Sequence, residues 1–240
     1  MTLLELLTEL REDYLDDTVA PYLWGDPTLK RFLNRAQVEA AMRQRLLVDE
    51  TTAAICEVTL VADQASYPLD SRIVLVEDIR LDNIPLTKRT KAQLDRIEPA
   101  WHLRTGTVDT YLQNDLTITL LPTPTAAEDG KKLYLRVWRL PAESMVNNAD
   151  TPEIPLQHHR DLLWFALGEA FSLPDEDTQN TQRADTYYNR FDRVFGSPMP
   201  ADVLAHRRRE ASVSYVGSAH TYHGRRSQRM SAERAFDFED

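Results

Sequence analysis

The sequence is poor in cysteine and glycine. Cys56 is the only cysteine among 240 residues, so the chain can form no internal disulfide and cannot build a zinc site from cysteine pairs. The seven glycines are never adjacent, and no glycine-rich loop precedes a helix to hold a phosphate group. Neither a Gly-x-Ser-x-Gly turn nor a His-Glu-x-x-His motif occurs. The sequence therefore predicts a protein without enzymatic activity, cofactor or bound metal.

Long apolar segments are missing as well. No run approaches the roughly 20 apolar residues that a membrane-spanning helix needs. The first residues lack the basic start and the small-residue cleavage site of a secretory signal. We therefore expect a soluble protein that is made and assembled in a cytoplasm. Its stability must come from packing, within the chain or between chains.

The charge balance is acidic and uneven along the chain. The formal net charge is −10, and residues 201–240 hold seven basic and six acidic residues, which leaves −11 on residues 1–200. A protein that wraps the phosphates of DNA needs clustered Lys and Arg, which this acidic body lacks. If DNA passes near it, we expect the DNA to slide by without sequence-specific binding.

Two helices are predicted at the N-terminal end. Thr2 and Glu5 have the spacing of a capping box. Asp26 and Pro27 are typical of an N-cap followed by the first residue of a helix. Apolar residues recur at helical spacing after both starts. The predicted helices lie near 2–17 and 26–46, within a helical segment at 1–54.

From residue 55 the apolar period becomes twofold. Cys56, Val58 and Leu60 alternate with polar residues, as on a strand with one buried face, so Cys56 is predicted to be a small core residue. Short connections favour an antiparallel sheet. Residues 90–98 are predicted to form a short helix, and we interpret its basic entry, Lys88-Arg89-Thr90-Lys91, as a solvated face. The predicted strands are 72–81, 108–113, 116–121 and 132–139, within a β subdomain at 55–150.

Helical spacing returns after Pro155. One helix is predicted over 155–172, and a second around Tyr187 to Phe195 ends at Gly196. The order of helices, strands and helices predicts an α+β fold. In this fold the terminal helices, 1–54 and 151–200, form a helical bundle, and the central antiparallel β-sheet subdomain projects from it.

Residues 201–240 differ in composition from the rest of the chain. Only six of these forty residues are Ile, Leu, Val or Phe, which is below the level of about 20% at which chains usually build a core. We therefore expect an extended arm that is disordered alone and docks on a partner.

Several polar clusters suggest chemistry but have simpler interpretations. The acidic run at 175–177 could bind a cation, yet after a proline it fits the first turn of a helix. His158 and His159 point about 100° apart on a helix, so we interpret them as surface or capping residues. His220 and His223 have no evident third ligand. No metal site is therefore predicted.

Aromatic and basic residues are the better candidates for contacts with other chains. The four tryptophans lie in the predicted folded body, where large rings are normally core or interface residues. Trp24 precedes the second helix and Trp101 lies in a loop, and these two are our candidates for the subunit interface. The triplet at 207–209 could touch DNA phosphates or pair with an acidic protein, and the sequence leaves both open.

The order of several segments resembles the head-to-tail adaptor proteins of tailed bacteriophages. Residues 24–37, which begin Trp-Gly-Asp-Pro-Thr-Leu, look like the opening helices of that family, and residues 58–69 are similar to its first hairpin. Residues 152–166, followed by Leu-Pro-Asp-Glu-Asp at 173–177, resemble its closing helical pair. The resemblance covers residues 1–196.

This resemblance implies a structural virion protein. Members of the family form a homo-oligomeric ring, usually of twelve copies, that docks under the portal protein, continues the DNA channel and offers its far side to the tail tube or nozzle protein. By analogy, the bundle packs between neighbours and the sheet subdomain faces the tail.

A C-terminal extension inserts into the portal in related adaptors, so we expect the arm to be the portal-docking element, ordered only in the ring. The candidate portal-docking residues are Arg207, Arg208, Arg209, Val213, Tyr215, Val216, Tyr222, Arg225, Arg226, Phe236 and Phe238.

Two functions from other classes remain open at the sequence level. A cell-envelope hydrolase of the tail would use paired carboxylates such as Asp175 and Asp177, with a raised pKa on one of them. A DNA-binding accessory protein would use the arginine-rich arm, and its affinity for duplex DNA would fall steeply with salt. The acidic body argues against the second.

Overall fold

The chain has an α+β fold with helices at both ends and strands between them. The structure, a computed structural model, describes residues 1–174 and 179–210. The helices are α1 (Leu3–Glu9), α2 (Asp26–Arg43), α3 (Ala53–Cys56), α4 (Lys91–Ile97), α5 (Leu162–Ser172), α6 (Thr181–Phe195) and α7 (Ala201–Arg209). The strands are β1 (Val48–Asp49), β2 (Glu57–Thr59), β3 (Ser66–Pro68), β4 (Ile73–Leu81), β5 (Ile84–Pro85), β6 (Thr87–Lys88), β7 (Thr110–Asn114), β8 (Thr117–Leu121) and β9 (Lys132–Arg139). None of these helices is both long enough and apolar enough to cross a membrane.

The first helix begins as its sequence predicts. The Thr2 hydroxyl accepts a hydrogen bond from the Glu5 amide at 3.3 Å, and the Glu5 carboxylate accepts one from the Thr2 amide at 2.8 Å. The expected N-cap role of Asp26 is wrong, because Gly25 caps α2 and Asp26 is its first helical residue. The Asp26 carboxylate accepts instead from the Arg11 guanidinium at 2.7 Å. Pairing a buried arginine outweighs capping, since an unpaired buried charge is costly.

Helices from both ends of the chain share one apolar core. Eight of the eleven residues of α5 are buried, so this helix lies at the centre, between α2 and α6. The amphipathic α6 contributes Ala184, Phe191 and Phe195 to the core. A Cβ added at Gly168 would lie 2.7 Å from a ring carbon of Tyr188. Glycine is therefore what allows α5 and α6 to approach so closely.

The middle of the chain forms two sheets. One has the order β1-β9-β4-β5 with β2 also paired to β9, and the other has the order β3-β8-β7-β6. All pairings are antiparallel except the short parallel pair of β6 and β7. The sheets share one apolar core that includes Leu60, Ile79, Tyr111, Ile118 and Leu135. The expected antiparallel architecture is thus present, as two sheets instead of one.

The hairpin expected within residues 58–69 does not form. β2 pairs with β9, whereas β3 pairs with β8 in the other sheet. The Tyr67 hydroxyl donates to the carbonyl oxygen of Val61 at 3.1 Å and accepts from its amide at 2.9 Å. The loop that follows Leu60 therefore carries the chain from one sheet to the other and takes the place of the expected turn.

Cys56 is buried as predicted, but at the end of the short helix α3 and not on a strand. Burial and the nearby Asp49 carboxylate raise the pKa of its thiol to about 11. The interpretation of the basic entry at 88–91 as a solvated face is wrong for Lys88, which is only 7% exposed. Lys88 lies on β6, which pairs with β7, and its side chain packs against β7 instead of facing solvent.

Trp138 joins the sheets to α2, and Arg139 joins them to the segment before α5. The Trp138 indole on β9 donates to the carbonyl oxygen of Ala41 on α2 at 2.8 Å. Arg139 pairs with Asp49 and with Glu153, each at 2.7 Å. Burial works against ionisation of Asp49, yet hydrogen bonds from its own loop and from Arg139 hold its pKa below the usual range. The end of β9 is thereby fixed to α2 and to the segment before α5.

The arm expected from residue 201 is not extended at its start. Residues 201–209 form α7, which packs on β7 and β4. Its sequence is rich in helix-forming residues, and polar contacts with the sheets hold in place a nine-residue helix that would be marginal alone. The prediction of an extended arm is therefore wrong for these nine residues. The residues after Glu210 lie outside the described part of the chain.

Candidate docking surfaces

Arg11 organises the connection between α1 and α2. It lies in a π-helical turn, Leu10–Leu15, and is 8% exposed. Its guanidinium donates to the Asp17 carboxylate at 2.6 Å, to the Trp24 carbonyl oxygen at 2.6 Å and to Asp26. Asp17 in turn accepts from the amides of Leu23 and Trp24 at 3.0 and 3.1 Å. This polar cluster holds both ends of the loop at residues 16–25.

The tip of that loop is apolar and faces solvent. Val19 is 78% exposed, Leu23 62% and Tyr22 46%. Trp24, predicted to lie at a subunit interface, is buried beside Phe171 and donates to the carbonyl oxygen of Ala170 at 3.2 Å. Its ring packs inside its own chain. The three exposed neighbours, held in place by Arg11 and Trp24, are what the loop offers to another molecule, and we call them the loop tip.

A second apolar surface lies at the end of α4. Leu103 is 74% exposed and Ile97 62%, and Trp101 is partly exposed between them. The Trp101 indole donates to the Asp95 carboxylate at 2.8 Å, which fixes the ring. We call Ile97, Trp101 and Leu103 the α4 patch. It flanks a small cleft of about 110 Å³ that also involves Arg89 and Arg104.

One side chain makes the polar contacts of α7 with the sheets. The Arg208 guanidinium donates to the carbonyl oxygens of Val74 at 2.7 Å and Ile73 at 3.2 Å, and pairs with the Asp115 carboxylate. The register of β4 against β9 shifts between Ile73 and Leu75. Arg208 therefore caps an irregular stretch of β4. The same residue was predicted to contact the portal, whereas Arg207 and Arg209 beside it are exposed.

Lys88 lies beneath the end of α7. Its ammonium donates to the Gln113 side-chain oxygen at 3.1 Å, and the Gln113 amide donates to the Asp115 carbonyl oxygen at 3.2 Å. Burial lowers the pKa of Lys88 to about 8, and the carboxylate of Glu210, which follows α7, opposes part of that shift. Lys88, Gln113, Asp115 and the Ile73–Val74 carbonyls form a continuous polar surface under the helix, which we call the α7 seat.

The two adjacent histidines take different places. His158 is partly buried, with Nδ1 at 3.4 Å from the Asp161 carboxylate. His159 is buried, so its expected surface position is wrong: Nε2 lies 2.8 Å from the Ile154 carbonyl oxygen and Nδ1 3.1 Å from the amino nitrogen of Met1. His159 thus ties the approach to α5 to the start of α1, and the two rings do not converge on a common ligand.

The remaining predicted residues lie outside the described part of the chain. These are the acidic run Asp175, Glu176 and Asp177, the pair His220 and His223, and the portal-docking candidates Val213, Tyr215, Val216, Tyr222, Arg225, Arg226, Phe236 and Phe238. Within residues 1–174 and 179–210, no group of three or more His, Cys, Asp or Glu side chains is arranged to hold a metal ion.

Sequence reasoning missed Arg11, Arg208 and Lys88 as structural centres. Arg11 stands in an acidic stretch and Arg208 in a basic triplet, where a solvated arginine is the ordinary interpretation. Arg11 is buried by contacts with the loop that follows it, and Arg208 is drawn in by β4 and Asp115, far along the chain. One local signal was present for Arg11. It is the single basic residue in a segment rich in acidic residues, and one of those, Asp17, is its partner.

The comparisons agree with the resemblance found in the sequence. The family model of the SU10 adaptor protein matches residues 1–217, which includes both helical ends, the sheets and α7. No curated protein matches the chain. The match extends past the 196 residues that the resemblance covered and confirms a phage head-to-tail adaptor. By this match across most of its length, the chain belongs to the SU10 adaptor protein family.

Proposed function

We propose that this adaptor forms a homo-oligomeric ring, of twelve copies by analogy with the family, that docks on the portal and carries the tail tube or nozzle protein on its far side. The single observation that carries the proposal is the family match over residues 1–217. An adaptor family agrees with a structural role in the virion. Assembly would take place in the host cytoplasm, on the portal.

The exposed apolar residues support contacts with other molecules. The loop tip lies on the helical part of the chain and the α4 patch on the sheet part. Each chain thus exposes two apolar surfaces to water, which is unfavourable unless another molecule covers them. Burying one such side chain contributes about 1.5–3 kcal/mol in transfer terms. We assign the α4 patch, with Trp101, to the contact between neighbouring subunits, and the loop tip takes over the interface role first given to Trp24.

The acidic body supports a conduit for DNA. With −11 on residues 1–200, a ring of many copies repels phosphate, so DNA in the lumen meets little that would retain it. Specific binding would need clustered basic side chains on one face. The proposed ring therefore guides genomic DNA without sequence-specific binding.

The segment after Glu210 is assigned to portal docking. It holds the anchor-like Val213, Tyr215, Val216, Tyr222, Phe236 and Phe238 and the basic Arg225 and Arg226 in an otherwise polar sequence. Fixing each backbone residue costs about 1–2 kcal/mol, so one arm alone binds marginally. Many arms on one ring bind durably, because linked sites act at high effective concentration.

Electron microscopy of the purified protein mixed with portal tests the ring. We expect a largely monomeric free protein in sedimentation and closed rings on portal particles. Truncation after Glu210 keeps α7 on its seat and should abolish decoration. A matched full-length variant with Arg225 and Arg226 changed to Gln should lose decoration mainly at low salt, where the two charges contribute most in the native chain. Full decoration by the truncated chain would move the docking surface to residues 1–210, and stable rings without portal would contradict assembly on the portal.

A further inference from the structure

The polar surface under α7 has the properties of an exchangeable docking site. None of the nine residues of α7 is buried, so the helix buries little apolar surface there. Its polar attachment consists of Arg208 on two backbone carbonyls and one carboxylate, and only Leu204 and Ala205 are partly buried beside it. Ordering nine residues costs about 1–2 kcal/mol each, whereas a charged hydrogen bond contributes about 1.5–3 kcal/mol. The binding of α7 to its own seat is therefore weak enough for another occupant to compete.

The seat is matched to one particular sequence. The Asp115 carboxylate and the carbonyl oxygens of Ile73 and Val74 all meet the Arg208 guanidinium, whereas the Glu210 carboxylate lies 3.2 Å from His206 in the same segment. A helix must therefore present an arginine at this position to satisfy the seat. Every other copy of this chain carries that helix. A second copy is thus the occupant that the charges of the seat select.

The segment that joins α7 to α6 allows the helix to leave. Arg43 donates to the Gly196 carbonyl oxygen at 3.1 Å, and Gln44 donates to that of Phe195 at 3.1 Å, so the end of α6 is anchored. Residues 197–200 follow and contain two prolines. Four extended residues span at most about 14 Å, and a nine-residue helix adds about 14 Å. Only a copy in direct contact with this chain lies within that reach.

We infer that, in the assembled ring, α7 leaves its own seat and occupies the seat of the adjacent copy, so that each subunit is fastened to the next by the same contacts that hold α7 in the free chain. This inference rests on the proposed ring. Exchange of an identical element adds a link between subunits at low cost, because every broken contact is made again. In the free protein each seat is occupied by the chain's own α7, since tethering gives that helix the higher effective concentration.

Cross-linking of two differently tagged chains tests the exchange. One carries Asn114→Cys beside the seat and the other Arg209→Cys at the exposed end of α7; neither residue is part of the Arg208 contact. The native Cys56 is buried and its raised pKa keeps it unreactive. The chains are mixed, assembled on portal and treated with a short bis-maleimide. We expect the mixed dimer to be at least tenfold more abundant in portal-bound material than in the free mixture.

Two control variants decide between the outcomes. A single chain with both cysteines should cross-link internally when free and between subunits on the portal. Arg208→Glu in the helix-bearing chain should abolish both products, because it places a carboxylate against Asp115. Portal decoration with only internal cross-links overturns the exchange and leaves the ring intact. If neither chain joins the portal while the free double-cysteine chain cross-links internally, the proposed function fails and the exchange fails with it.

Discussion

At the scale of single residues, Arg11 has the largest expected effect on stability. Arg11→Met leaves the buried Asp17 without its cation and frees the loop that both residues hold. Breaking a buried ion pair from one side costs about 3–5 kcal/mol. We expect a loss of this size in urea unfolding.

Arg35→Met is the matched control for Arg11. It removes a pair with Glu169 whose arginine side chain is 58% exposed, so the expected loss is below about 1 kcal/mol. Equal losses in the two variants would mean that the Arg11 cluster contributes no more than a surface pair.

Gly168 tests the contact between α5 and α6. Gly168→Ala places a methyl group within 3 Å of the Tyr188 ring, and the expected cost of overpacking is about 1–3 kcal/mol, although alanine favours helices. A double-mutant cycle with Tyr188→Ala measures the coupling. If Gly168→Ala costs as much in the Tyr188→Ala background as in the native chain, contact with the Tyr188 ring is not the reason for a glycine at position 168.

Lys88 makes stability depend on alkaline pH. Its folded-state pKa of about 8 lies below the model-peptide value of 10.5, so the unfolded chain binds the additional proton in this window. Stability attributable to Lys88 therefore rises between about pH 8 and 10.5, by up to roughly 3 kcal/mol. Burial raises the pKa of Tyr111, which acts in the opposite direction above pH 10.

The contribution of Lys88 is isolated by comparison with Lys88→Met across that pH range. The unfolding free energy of the native chain should increase relative to that of the variant as the pH rises. The Tyr111 contribution is the same in both chains and cancels in the difference. A difference in unfolding free energy that stays constant from pH 7 to 10.5 would show that the Lys88 ammonium is solvated in the folded protein.

At the scale of elements, the α4 patch is expected to act between subunits. Ile97→Asp with Leu103→Asp changes only exposed residues, so the melting temperature should stay within the range of ordinary surface variants. Decoration of portal particles should fall at least tenfold. Ile84→Asp, at a similarly exposed apolar residue on the short strand β5, is the matched control and should decorate normally. Normal assembly of the double variant would remove the patch from the interface.

The elements also show which signals in the sequence were sufficient. Local chemistry correctly located the start of α1, because Thr2 and Glu5 close a capping box by themselves, and the structure has the same arrangement of Thr90 and Gln93 at the start of α4. The limits of β9 were predicted without error, since its alternating burial needs no distant information. The pairing of β2 and β3 with strands of different sheets was not predictable, because it is decided by contacts far along the chain, such as Leu60 with Lys131.

At the scale of the whole molecule, charge predicts how the protein treats DNA. With a net charge of −10, the full chain should not retard a short duplex in a mobility assay, even at low salt. A DNA-binding accessory protein would bind there and lose affinity steeply as salt rises. The truncation after Glu210 serves as the control, because any weak retention that it abolishes is assigned to the arginines beyond that residue.

The apolar surfaces and the α7 seat could not have been predicted from the sequence. Ile97 and Leu103 are residues of types that are usually buried, yet both lie in solvent at the end of α4. Arg208 lies in a segment whose composition is typical of a solvated arm, yet its guanidinium binds carbonyl oxygens of β4. Family resemblance supplied the function, because none of the described residues carries a familiar catalytic motif.

The interruption of the helical core by the sheets sets an order in which the chain can fold. α2 packs on α5, and the whole stretch from β1 to β9 is synthesised between them. That stretch is continuous, so it can fold while α5 is still being made, whereas α1 and α2 must wait with their apolar faces uncovered. Closing so long a loop slows the last step. Newly made α1 and α2 are therefore the part of this adaptor on which chaperones should act, and slower translation through the sheets should lengthen that exposure.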